Sequence, residues 1–168
     1  MPDLLTHVLA AYILAMLLAR RYEWLTPSFV TVVMIGAAVP DLDRIGLVIP
    51  EETIRSLLGV PFVWGAIHTL GGSVVIITIG ALLVPTRYRL RVFVALLLGL
   101  VSHLVLDLLL INPSGHSYPV LWPLTQYHPP TPNLFLSTDR WPAITAGAIA
   151  VVVWYTQPQR PRNTTRSL

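Results

Sequence analysis

Cysteine and lysine are both missing from the 168 residues, and charged residues of either sign make up only 11%, well under the roughly 25% of an ordinary soluble domain. Without cysteine there are no disulfides and no thiolate metal sites, so any metal must be held by nitrogen and oxygen, which points to zinc, manganese or iron. Without lysine, all 11 basic residues are arginines. No glutamate follows Glu52. The first hydrophobic segment has no basic stretch before it and no small-residue cleavage site ahead of Arg20-Arg21, so it is expected to be a retained helix rather than a removed signal. No internal repeat and no soluble domain are evident. The net charge of +3 and pI near 9.7 do not imply nucleic acid, because the arginines lie between hydrophobic segments and not in a basic stripe with interleaved aromatics.

What is present is apolar: 54% of the residues are hydrophobic and the mean hydropathy is +0.67. The expected fold is all-α and integral to a membrane, with about five hydrophobic helices in one domain over residues 1–156 and a disordered cytoplasmic tail over 157–168. Helix 1 runs from Leu4 to Ala19. Helix 2 starts at Thr26-Pro27, a cap followed by proline at the first helical position, and stops before Pro40. A polar stretch to Pro61 holds a brief amphipathic helix from Glu51 to Leu58. Helix 3 covers Phe62 to Val84, interrupted at Gly71-Gly72, and helix 4 covers Val92 to Ile111. A proline- and aromatic-rich loop, ordered in the headgroup zone, leads to helix 5, Asp139 to Tyr155, capped by Ser137 or Thr138.

Arginine sets the orientation. With the N-terminus outside and the C-terminus cytoplasmic, Arg20, Arg21, Arg87, Arg89, Arg91, Arg160, Arg162 and Arg166 all face the cytoplasm, 8 of the 11, as the positive-inside rule requires.

Against this background the ionisable residues stand out, since a charge at a helix centre costs at least ~2.5 to 3.5 kcal/mol on insertion scales. Counting from the cytoplasmic arginines at 1.5 Å per residue places His7 and His103 about 20 and 18 Å deep, Asp107 about 24 Å and His68 about 28 Å. From Pro27 to Val39, helix 2 climbs only about 20 Å, too short to span, so the Asp41-Leu42-Asp43 turn falls at the same level. Irregular backbone at that depth has to line a cavity or be buried in protein. A polar pocket opening to the outer face follows. His103 and Asp107, at i and i+4, share one helix face, and Asp41 and Asp43 offer oxygens able to bridge ions. A divalent cation satisfies these carboxylates and neutral imidazoles together. Asp3 is either a helix N-terminal charge or an orienting partner of His7. Asp43 can pair with Arg44 at the rim, and His116 and His128 are expected to contact solvent or headgroups.

The segments Asp3-Leu-Leu-Thr-His7, Val39-Pro-Asp41-Leu-Asp43, Gly65-Ala-Ile-His68, Gly99 to Asp107, and Gly115 through Tyr118-Pro to Leu121-Trp122-Pro123 resemble, in order and over residues 1 to 125, the YdjM-type family of predicted membrane-bound metal-dependent hydrolases. The resemblance implies a helical membrane protein with a His/Asp metal site, distantly similar to zinc-dependent phospholipase C. The family's helix 3 motif commonly reads His-Arg-Gly-x-Thr-His; here Val63-Trp64-Gly65-Ala66-Ile67-His68 keeps the glycine and the second histidine. With no late glutamate, one or two ions are expected rather than three. On this basis His7, Asp41, His68, His103 and Asp107 would be ligands and Asp43 a bridging ligand or general base. The expected activity is hydrolysis of a lipid phosphoester or other lipid-linked substrate at the outer leaflet, with membrane lipids as the partners. The alternatives are a non-catalytic protein with a structural or degenerate metal site, a metal or proton pathway, and an assembly protein working through its proline-rich loop.

Overall fold

Runs of apolar residues broken by proline and arginine become helices because only helices satisfy their own backbone within a greasy stretch. The computed structural model describes residues 4–157. Asp3 and the expected tail beyond Gln157 lie outside the described residues. In chain order the elements are α1 (Leu4–Ala19), α2 (Pro27–Ala38), a 3-10 segment (Pro40–Leu47), α3 (Glu51–Leu58), a second 3-10 segment (Trp64–His68), α4 (Leu70–Leu82), α5 (Thr86–Leu108) and α6 (Trp141–Tyr155). Among the described residues there is no strand, only isolated bridges joining Leu110 to Phe135 and His116 to Pro130 in the long loop. The all-helical expectation holds. Among the described residues there are five apolar helices, and one of them, the 23-residue α5, is long and apolar enough by length and composition to cross a membrane.

α5 is the central element, packed against α1, α2 and α4, while α6 lies on α1. Small residues let these backbones approach. Ala11, Ala15 and Ala19 form a buried stripe on α1 at four-residue spacing, and a Cβ at Gly99 of α5 would stand 1.9 Å from the Val33 carbonyl oxygen. Likewise a Cβ at Gly36 would stand 2.2 Å from the Leu96 carbonyl oxygen. Close packing through small residues suits helices that meet in lipid, where burial of apolar surface drives nothing. Outward-facing side chains such as Ile35, Ile79, Val105, Ile144 and Trp154 are apolar and at least half exposed. The buried set, by contrast, includes His7, Asp41, His68, His103 and Asp107.

The C-terminal ends of α1 and α6 meet, with Arg20 Nη2 donating to Thr156 Oγ1 at 2.8 Å and Gln157 Nε2 donating to the Met16 carbonyl at 2.7 Å. The start of α5 lies near them, since Glu23, Trp24, Tyr88 and Arg91 line one cleft. Arginine-bearing ends therefore collect at one end of the bundle.

Four expected positions move. Helix 3 does not start at Phe62, because Trp64 is tied back to the preceding polar segment: its N–H donates to Glu51 Oε1 at 3.0 Å and its indole Nε1–H to the Ile49 carbonyl at 2.8 Å. The helical break falls at Thr69, whose hydroxyl accepts from Gly72 N as an N-cap, and not at Gly71-Gly72. Those glycines instead admit neighbours, Gly71 the ring of Pro123 and Gly72 the carbonyl of Ala66. α5 starts at Thr86 and takes in the arginines. α6 starts at Trp141 with Arg140 at its N-cap position and no side-chain cap bond. Asp139 accepts from Leu136 N at 2.8 Å, which closes the loop there rather than capping from Ser137 or Thr138.

Candidate metal centre

Four elements converge at the end of the bundle opposite Arg20 and Arg91. α1 contributes His7, the first 3-10 segment Asp41 and Asp43, the second His68, and α5 His103 with Asp107. Each of the six was expected on the page of sequence, and each lies in one cluster. His7 and His103 are 0% exposed and Asp107 2%. The His7 and His103 rings stack at 3.7 Å between centroids, 16° from parallel.

Backbone carbonyls orient two of the imidazoles. His103 Nδ1 lies 2.8 Å from the Ala37 carbonyl oxygen and His68 Nδ1 3.1 Å from that of Pro40. A carbonyl only accepts, so each Nδ1 is placed as a donor, and where the ring is neutral its Nε2 turns a lone pair into the cluster. Those lone pairs face a carboxylate: Asp107 Oδ2 is 2.7 Å from His68 Nε2 and 3.3 Å from His103 Nε2, while Asp107 Oδ1 is 3.4 Å from His7 Nε2. Lone pairs directed at an anion repel unless a cation, either a proton or a metal, lies among them. Hydrogen bonds do not exhaust the cluster. Both nitrogens of His7, both oxygens of Asp41, Asp43 Oδ1 and Asp107 Oδ1 are buried without a hydrogen-bond partner, Asp41 Oδ1 having only an ion-pair contact with Arg44. Orphaned polar atoms on this scale are costly, and they are the donor types of a divalent cation site. Two groups bring their ligand atoms within 4.8 Å of one another: His7, His103 and Asp107, and Asp41, His68 and His103. His103 has its Nδ1 engaged by Ala37 and offers only Nε2, so it serves one ion.

One sequence expectation is corrected here. Arg44 pairs with Asp41, Nη2 to Oδ1 at 3.2 Å, so this arginine compensates the more buried carboxylate. Asp43 turns instead to His68, Oδ2 lying 3.4 Å from Nδ1. Burial pushes the Asp43 carboxyl above the usual carboxylate range, an effect that His68 and Arg44 only partly offset. His116 and His128 are exposed, as expected, and each also meets a loop carbonyl, of Ser114 and Ser117 respectively. In the sequence Tyr118 stood only within the Gly115-to-Pro123 segment and was not among the expected site residues. Its hydroxyl donates to Asp107 Oδ2 at 3.1 Å and its ring sits edge-on to His68. Burial and the Asp107 carboxylate hold the phenol well above its ordinary pKa, so it remains a donor. The signal available in the sequence was the short Gly115-x-x-Tyr118-Pro119 segment.

Two clefts reach the cluster. One, of about 310 Å³, is lined by Asp107, Tyr118, Ser117 and Ser137 among others. The second, of about 370 Å³, is lined by Asp43, His68, Gly65 and Trp122 among others, and again by Tyr118.

No curated protein and no solved structure matches the chain. The family model of the YdjM inner membrane protein matches residues 1–166, which includes every residue of the cluster, and the chain with its buried His/Asp centre therefore belongs to the YdjM inner membrane protein family.

Proposed function

We propose that the protein is a multi-pass membrane hydrolase, N-terminus outside and C-terminus cytoplasmic. Its His/Asp centre would hold one or two divalent ions, zinc before manganese or iron, and cleave a lipid phosphoester or similar lipid-linked substrate at the outer leaflet. The observation that carries this reading is the set of buried, hydrogen-bond-orphaned ligand atoms facing imidazole lone pairs that backbone carbonyls hold in place. Apolar helix surfaces and the gathering of arginines at one end support the topology.

His7, His103 and Asp107 would hold one ion, with Asp41 and His68 completing it or holding a second. A bound divalent ion supplies a water of lowered pKa and neutralises charge on the phosphoryl oxygens. Asp43, with one unpartnered oxygen and a raised pKa, accepts the proton of the attacking water. Water oxygen bonds to phosphorus, the bond from phosphorus to the leaving oxygen breaks, and that oxygen takes up the proton Asp43 gained. Tyr118 and the two carbonyl acceptors keep the ligand set in orientation.

Metal content of the detergent-purified protein tests the centre. Wild type is expected to retain ion at neutral pH and His103→Ala and Asp107→Ala to lose it; a metal-free wild type would sink the proposal. Turnover of a panel of lipid phosphoesters tests the chemistry, with a fall of about 10² or more expected in Asp43→Asn.

A further inference from the structure

The two clefts on either side of Tyr118 differ in chemistry, and the difference names the ends of the substrate. The first mixes Asn112, Ser117, Thr131 and Ser137 with apolar Leu110 and Ile111. Ser117 and Ser137 offer hydroxyls there, while Thr131 Oγ1 donates to Asn133 and Asn112 Oδ1 accepts from Ser114; the cleft has no free charge, because Asp107 is turned to the three imidazoles. At about 310 Å³ it holds roughly ten waters' worth of volume at ~30 Å³ each, room for a glycerol or a single sugar ring. The second is walled by Gly65, Ala66, Pro119 and Trp122, together with Asp43 and His68 of the centre itself. The only hydroxyl among its lining residues besides the tyrosine is Thr69, which is engaged with the Ala66 carbonyl. Exposed Leu121, Trp122 and Leu124 continue from it to the surface. Tyr118 lines both clefts, and its hydroxyl donates to Asp107, which lines the first.

Building on the hydrolase reading, we infer that the substrate straddles Tyr118, its reacting phosphoester at the His/Asp centre, a neutral hydroxyl-rich headgroup in the Ser117/Ser137 cleft and its acyl chain in the Gly65/Trp122 cleft. A quaternary ammonium headgroup is disfavoured there. The polar cleft has no aromatic cage to receive it, and the one carboxylate at its base belongs to the cation site.

The test uses the full-length protein in detergent and a phosphatidylglycerol with a photoreactive diazirine in its acyl chain. Saturable cross-links are expected within residues 64–69 and 119–122, in metal-loaded and chelator-treated protein alike. Gly65→Leu fits sterically, since nothing lies within 4 Å of a Cβ there, and should fill the apolar cleft and cut that labelling about tenfold. Phosphatidylcholine carrying the same chain should label about tenfold less than phosphatidylglycerol. In turnover, Gly65→Leu should lower the ratio of long-chain to short-chain kcat/KM and Ser137→Leu the ratio of glycerol-headed to headless phosphoester. Equal labelling by the two headgroups, or cross-links confined to other segments, would overturn the assignment while leaving metal binding untouched. The expected cross-links with no turnover of any lipid phosphoester would overturn the hydrolase reading alone.

Discussion

His103 is oriented by a carbonyl from another helix, and Asp107 receives a hydroxyl from a loop eleven residues on; removing either partner should weaken the centre without deleting a ligand. Tyr118→Phe is expected to lower metal affinity by about 10- to 100-fold, read by competition with a chromogenic chelator. Asp43→Asn should act in two directions. Its carboxyl has a folded pKa above the unfolded value, so the metal-free fold loses stability as pH rises from the unfolded carboxylate range through the folded pKa. The amide lacks this loss, so Asp43→Asn should raise the melting temperature of chelator-treated protein at neutral pH while reducing bound metal. His7, His103 and Asp107 were legible from sequence because a helix is a ruler: fixed rise per residue converts spacing from an arginine into depth. Tyr118 was not, since a proline-rich loop has no such ruler. Nor was the pairing of Arg44 legible. In a 3-10 segment with three residues per turn, i and i+3 eclipse, and this sets Arg44 over Asp41 rather than beside Asp43.

Among the elements, the contact of α2 with α5 is the tightest, backbone against backbone through Gly36 and Gly99. Gly99→Val should prevent folding, because its Cβ would overlap the Val33 carbonyl and overpacking of even modest size costs about 1–3 kcal/mol. Gly80→Val provides the control, its Cβ meeting only Leu96 Cδ1 at 3.7 Å. Monodispersity on size exclusion separates the two. Thr69→Val, which removes the cap of α4, should cost about 1 kcal/mol. Helix 1 and the amphipathic helix from Glu51 were legible to the residue because arginine, proline and Gly59 punctuate them. The start of α4 was not, because the hydrogen bonds that hold Trp64 to Glu51 and Ile49 are tertiary and leave no local trace.

For the whole molecule, the absence of cysteine makes orientation measurable without background. Single cysteines at Leu47 or Leu124 should react with a membrane-impermeant maleimide in intact cells, whereas one at Leu83 should react only after permeabilisation; all three side chains are at least 79% exposed. The reverse pattern would invert the topology. Metal and fold should also be linked, since ions bind the assembled centre and not the separated helices. At 100 times Kd, a divalent ion adds about 2.7 kcal/mol, seen as a melting temperature that rises with metal concentration and falls with chelator.

The early end of α2 carries one more consequence. A helix leaves its last carbonyls without intrahelical donors, and here the carbonyls of Ala37 and Pro40, at and just beyond that end, meet His103 and His68. The glycine seam acts as a gauge that sets how far those carbonyls stand from the rings. A bulkier residue at Gly36 would move the gauge and leave Nδ1 of His103 short of its acceptor, freeing the imidazole to carry its proton on Nε2 instead. The ion would then meet an N–H where a lone pair had been, and a packing change well away from any ligand would silence the centre.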